Sequence, residues 1–101
     1  LQQFYEATKL APQDSSVRVN LGLELARHGK LAEAAEQYHE ALRLDPNSAE
    51  AHNDLGMVFL VSDKLDKALV EFSTALHLKP DLTAARDNLR RAQTQIDARR
   101  K

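Results

Sequence analysis

Residues 15–46 read SSVRVNLGLELARHGKLAEAAEQYHEALRLDP, and the chain repeats their pattern. A shift of 34 residues brings this stretch onto residues 49–80, and nine positions between 15–48 and 49–82 are then identical. The nine are Leu21, Gly22, Lys30, Leu31, Ala34, Ala41, Leu42, Leu44 and Pro46, and they recur as Leu55, Gly56, Lys64, Leu65, Ala68, Ala75, Leu76, Leu78 and Pro80. A fixed period of this length is typical of stacked-repeat proteins, in which each repeat buries its apolar face against its neighbours.

The order of these positions resembles the tetratricopeptide repeat. A Leu-Gly pair is followed by Ala34, Tyr38, Ala41 and Pro46 in the first copy, and Phe72 matches Tyr38 in the second. The resemblance implies an all-α fold, a right-handed superhelical stack of antiparallel helix pairs known as an α-solenoid. It also implies that the first helix of each repeat lines a concave groove.

The same period extends beyond the two copies in both directions. Residues 1–14 match the second half of a repeat, and residues after 82 match the first half until Arg90 replaces the glycine and Gln93 replaces Phe59. A terminal helix with a polar outer face is what a stacked array needs at its end. We therefore expect one domain over 1–101, made of the second helix of a truncated repeat (1–14), two full repeats (15–48 and 49–82) and a capping helix (83–101).

One segment is ambiguous, because apolar and polar residues alternate from Val17 to Leu25 as they do in a strand. We favour a helix for two reasons. The aligned segment at 51–61 does not alternate, and Gly29 stands where a helix would end.

Composition excludes several functional classes. Fourteen basic and 15 acidic residues give a net charge of -1, so no general attraction to nucleic acid or anionic membranes is expected. The absence of cysteine removes disulfides, thiolate metal sites and cysteine nucleophiles, and is compatible with cytosol or periplasm. The longest apolar run, at 57–61, is far shorter than the roughly 20 residues of a membrane span, so no membrane partner is expected.

No catalytic residue, metal ligand or cofactor is expected either. The four histidines lack a metal-binding spacing, and His52 stands where the family often has tryptophan, which favours a packing role. The three glycines occupy packing or turn positions instead of a phosphate-binding loop, and nucleophile motifs are missing. The sequence therefore predicts a protein that is not an enzyme.

The concave groove is the predicted site. Asn20, Asp54 and Asn88 each stand 34 residues apart, and the resemblance implies that the first two, just before the Leu-Gly pairs, point inward. An asparagine amide can pair with both groups of a peptide bond; the alternative is that these side chains bond the neighbouring repeat or water. The predicted groove residues are Asn20, Leu23, Arg27, Asn53, Asp54, Met57, Leu60, Asn88 and Arg91.

Apolar side chains on the same inner side are the second part of this prediction. Val19, Leu23, Met57 and Leu60 would either contact a peptide or helix, or be buried against adjacent repeats. The carboxylate clamp of chaperone-binding relatives needs Lys, Asn and Arg on the inner faces. This chain has Val19, Leu23, Asp54, Ala84 and Asn88 at those places, so chaperone tails are not expected as ligands.

Three functions remain open from the sequence. The first is a non-catalytic scaffold, one segment of a longer array or polypeptide, that captures a protein or peptide partner in the groove. The second is a structural module that forms homo-oligomers through the groove and the first helix, where Leu1 and Phe4 would normally meet a preceding helix. The third is nucleic-acid binding through the basic residues of 83–101, but no aromatic residue lies among them to stack on bases, and a solvated terminal helix is favoured.

Overall fold

A computed structural model describes residues 1–100, which form six α-helices and no strand; Lys101, the last residue of the basic end, lies outside this range. The helices are α1 (Gln2–Leu10), α2 (Ser15–Arg27), α3 (Leu31–Leu44), α4 (Ala49–Val61), α5 (Leu65–Leu78) and α6 (Thr83–Arg99). The all-helical prediction is confirmed, including the ambiguous segment at 17–25, which lies within α2. No helix among the described residues combines the length and the apolarity that a bilayer crossing requires.

A side-chain cap stands at the beginning of α2 and another at the beginning of α4. The Asp14 carboxylate accepts a hydrogen bond from the backbone N–H of Ser16 at 2.9 Å, at the start of α2. The Ser48 hydroxyl does the same for the N–H of Ala51 at 3.2 Å, at the start of α4. Both caps satisfy amide hydrogens that the first turn of a helix leaves unpaired.

The turns inside the two helix pairs share a left-handed residue. Gly29 has φ +76° between α2 and α3, and Asp63 has φ +65° at the matching position between α4 and α5. Asp63 is held there by α6, since the Arg99 guanidinium donates to both of its carboxylate oxygens. This hydrogen-bonded pair keeps the pKa of the Asp63 carboxyl below its usual range.

The packing order divides the helices into two layers. Each helix packs on the next in sequence, and α2 also packs on α4 and α4 on α6. Within residues 1–100, the backbones of α1 and α3 and those of α3 and α5 do not approach each other in this way, although the Tyr5 hydroxyl of α1 donates to the Glu33 carboxylate of α3 at 3.5 Å. The even-numbered helices therefore form a continuous inner wall and the odd-numbered ones an outer layer, in a stack of 49 × 27 × 19 Å.

Close approach between the layers depends on two glycines. The ring of Tyr38 lies on Gly22, where a β-carbon would stand 2.5 Å from Cε1 of the ring, and Phe72 lies on Gly56 at 2.6 Å. Both rings are almost fully buried. The matching position of α6 holds Arg90, whose side chain is exposed.

Candidate functional site

A groove lies between α2 and α4 on the inner wall. Its volume is about 320 Å³. It is lined by Leu23, Ala26 and Arg27 of α2, by Leu31 and Tyr38 of α3, and by Asp54, Met57, Val58 and Val61 of α4. Most of these side chains are apolar, so the site offers a hydrophobic floor and very few polar groups.

Helical periodicity brings the α4 residues onto one face. Asp54, Met57 and Val61 follow each other at steps of three and four, which places their side chains in a row along the helix. On α2, Leu23 stands at the repeat position of Met57. Val61 is 59% exposed, so the apolar floor is open to a partner at this point.

Asp54 is the acidic group of the groove. It is half-buried, and within residues 1–100 no side chain donates a hydrogen bond or forms an ion pair with it. The pKa of its carboxyl is raised to about 6, mainly by burial and to a smaller extent by the nearby Glu50 carboxylate. The pKa of the Tyr38 hydroxyl is also raised, mainly by burial and then by the Asp54 carboxylate.

Arg27 stands at the rim and does not neutralise Asp54 directly. Its side chain is exposed, and its guanidinium donates to the Glu24 carboxylate at 3.2 Å on the same helix. The groove therefore holds a carboxylate that no cationic side chain of residues 1–100 pairs with.

The three predicted groove residues that are spaced by 34 positions lie in different surroundings. They are Asn20, Asp54 and Asn88. The side-chain amide of Asn88 donates to the Asn53 oxygen at 3.0 Å and joins α6 to α4. Asn20 is exposed on α2, beside Phe4 of α1. Of the three, only Asp54 lines the α2–α4 groove.

Two of the predicted groove residues are buried and do not line the α2–α4 groove. Asn53 is 9% exposed, because its side chain turns toward α6 and bonds Asn88. Leu60 is 6% exposed, because α5 and α6 cover it with a cluster that includes Phe72 and Ile96. Val19, expected on the same inner side, is likewise buried in the core between α2, α3 and α4.

The remaining predicted residues divide between the groove and its surroundings. Leu23, Met57 and Arg27 line the groove together with Asp54. Arg91 is exposed on α6 and is not among the residues that line it. Sequence reasoning missed Val61, although it stands 34 residues after Arg27, which was predicted.

His52 joins three parts of the chain. Its Nδ1 lies 2.8 Å from Oε1 of Glu71 on α5, and its Nε2 lies 3.1 Å from the backbone oxygen of Pro46. The side chain is 16% exposed. His52 is therefore a partly buried residue that links α4 to α5 and to the preceding turn. Among residues 1–100, no group of three or more His, Cys, Asp and Glu side chains is placed to hold a metal ion.

A second, smaller apolar surface lies where α1 meets α2. Leu1 and Phe4 are half-buried and pack against the core of α2 and α3. Phe4 and Ala7 also line a pocket of about 220 Å³ together with Val17 and Asn20 of α2. This pocket lies at the opposite end of the stack from α6.

A sequence profile described as tetratricopeptide repeat matches residues 19–82. Among solved structures, the chain is similar to the first tetratricopeptide domain of Spaghetti (RPAP3) bound to the HSP90 peptide SRMEEVD, with a TM-score of 0.87, 20% identity, and coverage of 93% of this chain and 75% of that chain. It is similar to YrrB, a tetratricopeptide protein with an unusual peptide-binding site, with a TM-score of 0.88 and 23% identity. That match covers 93% of this chain and 48% of the YrrB chain. It is also similar to the second tetratricopeptide domain of human RPAP3 in complex with the HSP70 peptide SGPTIEEVD, with a TM-score of 0.81 and 21% identity. That match covers 89% of this chain and 75% of the RPAP3 chain.

At these identities the likeness to solved structures establishes the fold. A search of curated proteins gave no significant match.

Proposed function

Because the chain belongs to the tetratricopeptide repeat family, we propose that it is a non-catalytic protein-binding module that holds a peptide or a helical segment in the groove between α2 and α4. The observation that supports this is a partly exposed apolar surface, formed by Leu23, Met57 and Val61, between two adjacent inner helices. Similar domains of RPAP3 bind chaperone peptides, which supports the general mode.

The physical basis of the proposal is burial of apolar surface. A bulky side chain of a partner that covers Val61 and Met57 would remove apolar area from water, at about 25 cal/mol per Å². Methionine has three rotatable bonds, so the floor can adjust to side chains of different shape. An extended peptide or one face of an amphipathic helix fits such a groove.

The test uses peptides selected by the wild-type chain from a random 12-residue library. Their affinity is then measured by fluorescence anisotropy for Val61→Asp and for the matched control Val70→Asp. Val70 is 60% exposed on α5, nearly the same as Val61, but it does not line the groove. We expect Val61→Asp to weaken binding at least about tenfold, since it places a charge in a desolvated contact, and Val70→Asp to change it less than about twofold. Equal binding by both variants would overturn the proposal.

Self-assembly through α1 is the second candidate function. It is favoured by the half-buried Leu1 and Phe4 and by the pocket between α1 and α2, which a second copy of the chain would cover. Sedimentation equilibrium at about 1 mM protein detects association stronger than about 4 kcal/mol. We expect a dimer that Phe4→Glu disrupts and Val61→Asp does not; a monomeric wild type at this concentration would contradict self-assembly.

A further inference from the structure

We propose that the α2–α4 groove selects protein segments that carry a basic side chain beside bulky apolar residues. This inference rests on the function proposed above, because it concerns the chemistry of the partner in the same groove. It is carried by the position of one carboxylate, Asp54, among the apolar side chains of the floor.

Asp54 lies where a partner's side chain would enter. Its neighbours along the groove are Leu23 on α2 and Met57 on α4, and the side chain of Tyr38 closes the floor beneath them. The carboxylate is half-buried yet has no donor among residues 1–100. A half-desolvated carboxylate in apolar surroundings is unfavourable until a donor or a cation pairs with it.

The charged groups around Asp54 leave its carboxylate unpaired and favour the binding of a cation beside it. Glu50 stands one turn earlier on α4 and repels it, although Glu50 itself contacts Lys79 at 3.2 Å. On α2, Arg27 is bound to Glu24. On α3, the group that faces Asp54 is the Tyr38 hydroxyl, which is neutral at ordinary pH. A Lys or Arg side chain from the partner would form a charge-assisted hydrogen bond with Asp54 while its aliphatic stem covers Met57.

The same geometry disfavours acidic partners. The chaperone peptides bound by the RPAP3 domains, SRMEEVD and SGPTIEEVD, end in several carboxylates. Such a peptide in this groove would bring like charges close to Asp54 and Glu50, which destabilises both. The groove therefore differs in its preferred ligand from those domains, although the fold is shared.

Two model peptides test the inference directly. One is an acetylated and amidated amphipathic peptide of leucine and lysine, and the other has glutamate at every lysine position. Binding is measured at low salt for the wild type, for Asp54→Asn and for Asp81→Asn. Asp81 is exposed in the turn between α5 and α6, so this control removes the same charge outside the groove.

We expect the wild type to bind the lysine peptide at least about tenfold more tightly than the glutamate peptide, because the lysine ammonium forms a charge-assisted hydrogen bond with Asp54. Asp54→Asn should weaken lysine-peptide binding by about tenfold, and Asp81→Asn by less than about twofold. Equal binding of the two peptides, or equal effects of the two substitutions, would overturn the selectivity.

The groove variant Val61→Asn separates this inference from the proposed function, because it makes the floor polar without adding a carboxylate that a lysine could pair with. If Val61→Asn abolishes binding of both peptides while Asp54→Asn affects neither, the groove is the site and the charge selectivity is wrong. If Val61→Asn leaves the binding of both peptides unchanged, the proposed function itself is overturned.

Discussion

The aromatic ring of Tyr38 lies directly on the backbone of Gly22, so that a β-carbon at position 22 would stand 2.5 Å from the ring. Phe72 and Gly56 repeat this arrangement one period later, at 2.6 Å. The two pairs set the distance between the helices of each repeat, because neither ring can retreat from a well-packed core without leaving a void. The glycines are therefore packing residues in the middle of helices.

Gly22→Ala and Gly56→Ala are expected to destabilise the protein. Alanine favours a helix over glycine by about 1 kcal/mol, but the clash with the ring forces overpacking that costs about 1–3 kcal/mol. Urea unfolding followed by circular dichroism measures the net effect. Enlarging the space by Phe72→Leu should recover part of the loss in the Gly56→Ala background. Single variants as stable as the wild type would show that the ring shifts freely.

Asp54→Asn is expected to stabilise the protein at neutral pH. The pKa of the Asp54 carboxyl is raised from 3.8 to about 6 in the folded chain. Below about pH 4 the group is protonated in both states and has no effect, whereas above about pH 6 the folded state bears the cost of an ionised, half-buried group. At about 1.4 kcal/mol per pKa unit, the free energy of unfolding should fall by about 1–3 kcal/mol as the pH rises through this window.

The measurement for this prediction is urea unfolding at pH values between about 4 and 7.5. Asp54→Asn should flatten the wild-type decline, and the two curves should meet at the acidic end. Asp81→Asn is the matched control, since it removes one exposed carboxylate. A wild-type decline that persists in Asp54→Asn would assign it to another group.

Asn88→Ala tests the hydrogen bond between α6 and α4. The substitution removes the donor of the buried Asn53 oxygen, and an unsatisfied buried acceptor costs about 1–3 kcal/mol. Asn20→Ala, at the matching but exposed position of α2, should change stability by less than about 0.5 kcal/mol. Amide hydrogen exchange should show the loss first in α6. Equal effects of the two substitutions would mean that the Asn53–Asn88 bond contributes little.

Gly29→Ala isolates the energy of a left-handed turn. No atom lies within 4 Å of a β-carbon at position 29, so its cost of about 1–2 kcal/mol comes from φ +76° alone. The reverse substitution at the matching turn, Asp63→Gly, relieves such strain but removes the partner of Arg99. We expect Asp63→Gly to be stabilising in high salt, where that ion pair is screened. Thermal unfolding of both variants at low and high salt makes the comparison.

Most of the fold prediction was based on the 34-residue repeat period. The 34-residue offset placed Pro46 and Pro80 at helix ends and matched Asp63 to Gly29, and the structure has both turns left-handed. Local patterns alone were weaker, since the alternation after Val17 is typical of a strand. The offset resolved it because two copies of one repeat must share a conformation.

The site was harder to predict, because burial depends on which helix covers a residue. Leu60 and Ala26 share a repeat position, yet Leu60 is covered by Ile96 of α6 whereas Ala26 lines the open groove. Periodicity gives the direction of a side chain from its helix, but it does not say whether the next repeat leaves a gap there. Asp54 was predicted to pair with the peptide groups of a partner, and the different role proposed for it depends on apolar neighbours that only the packing reveals.

Arg90 occupies the position at which the two repeats carry Gly22 and Gly56. Chains of this fold could in principle join end to end, with Phe4 of one copy resting on α6 of another as Tyr38 rests on α2. An arginine in place of glycine disfavours this end-to-end contact, because any side chain at that position would clash with the ring as a β-carbon would at Gly22. Self-assembly of this chain would therefore have to use a contact other than a ring packed on a helix glycine.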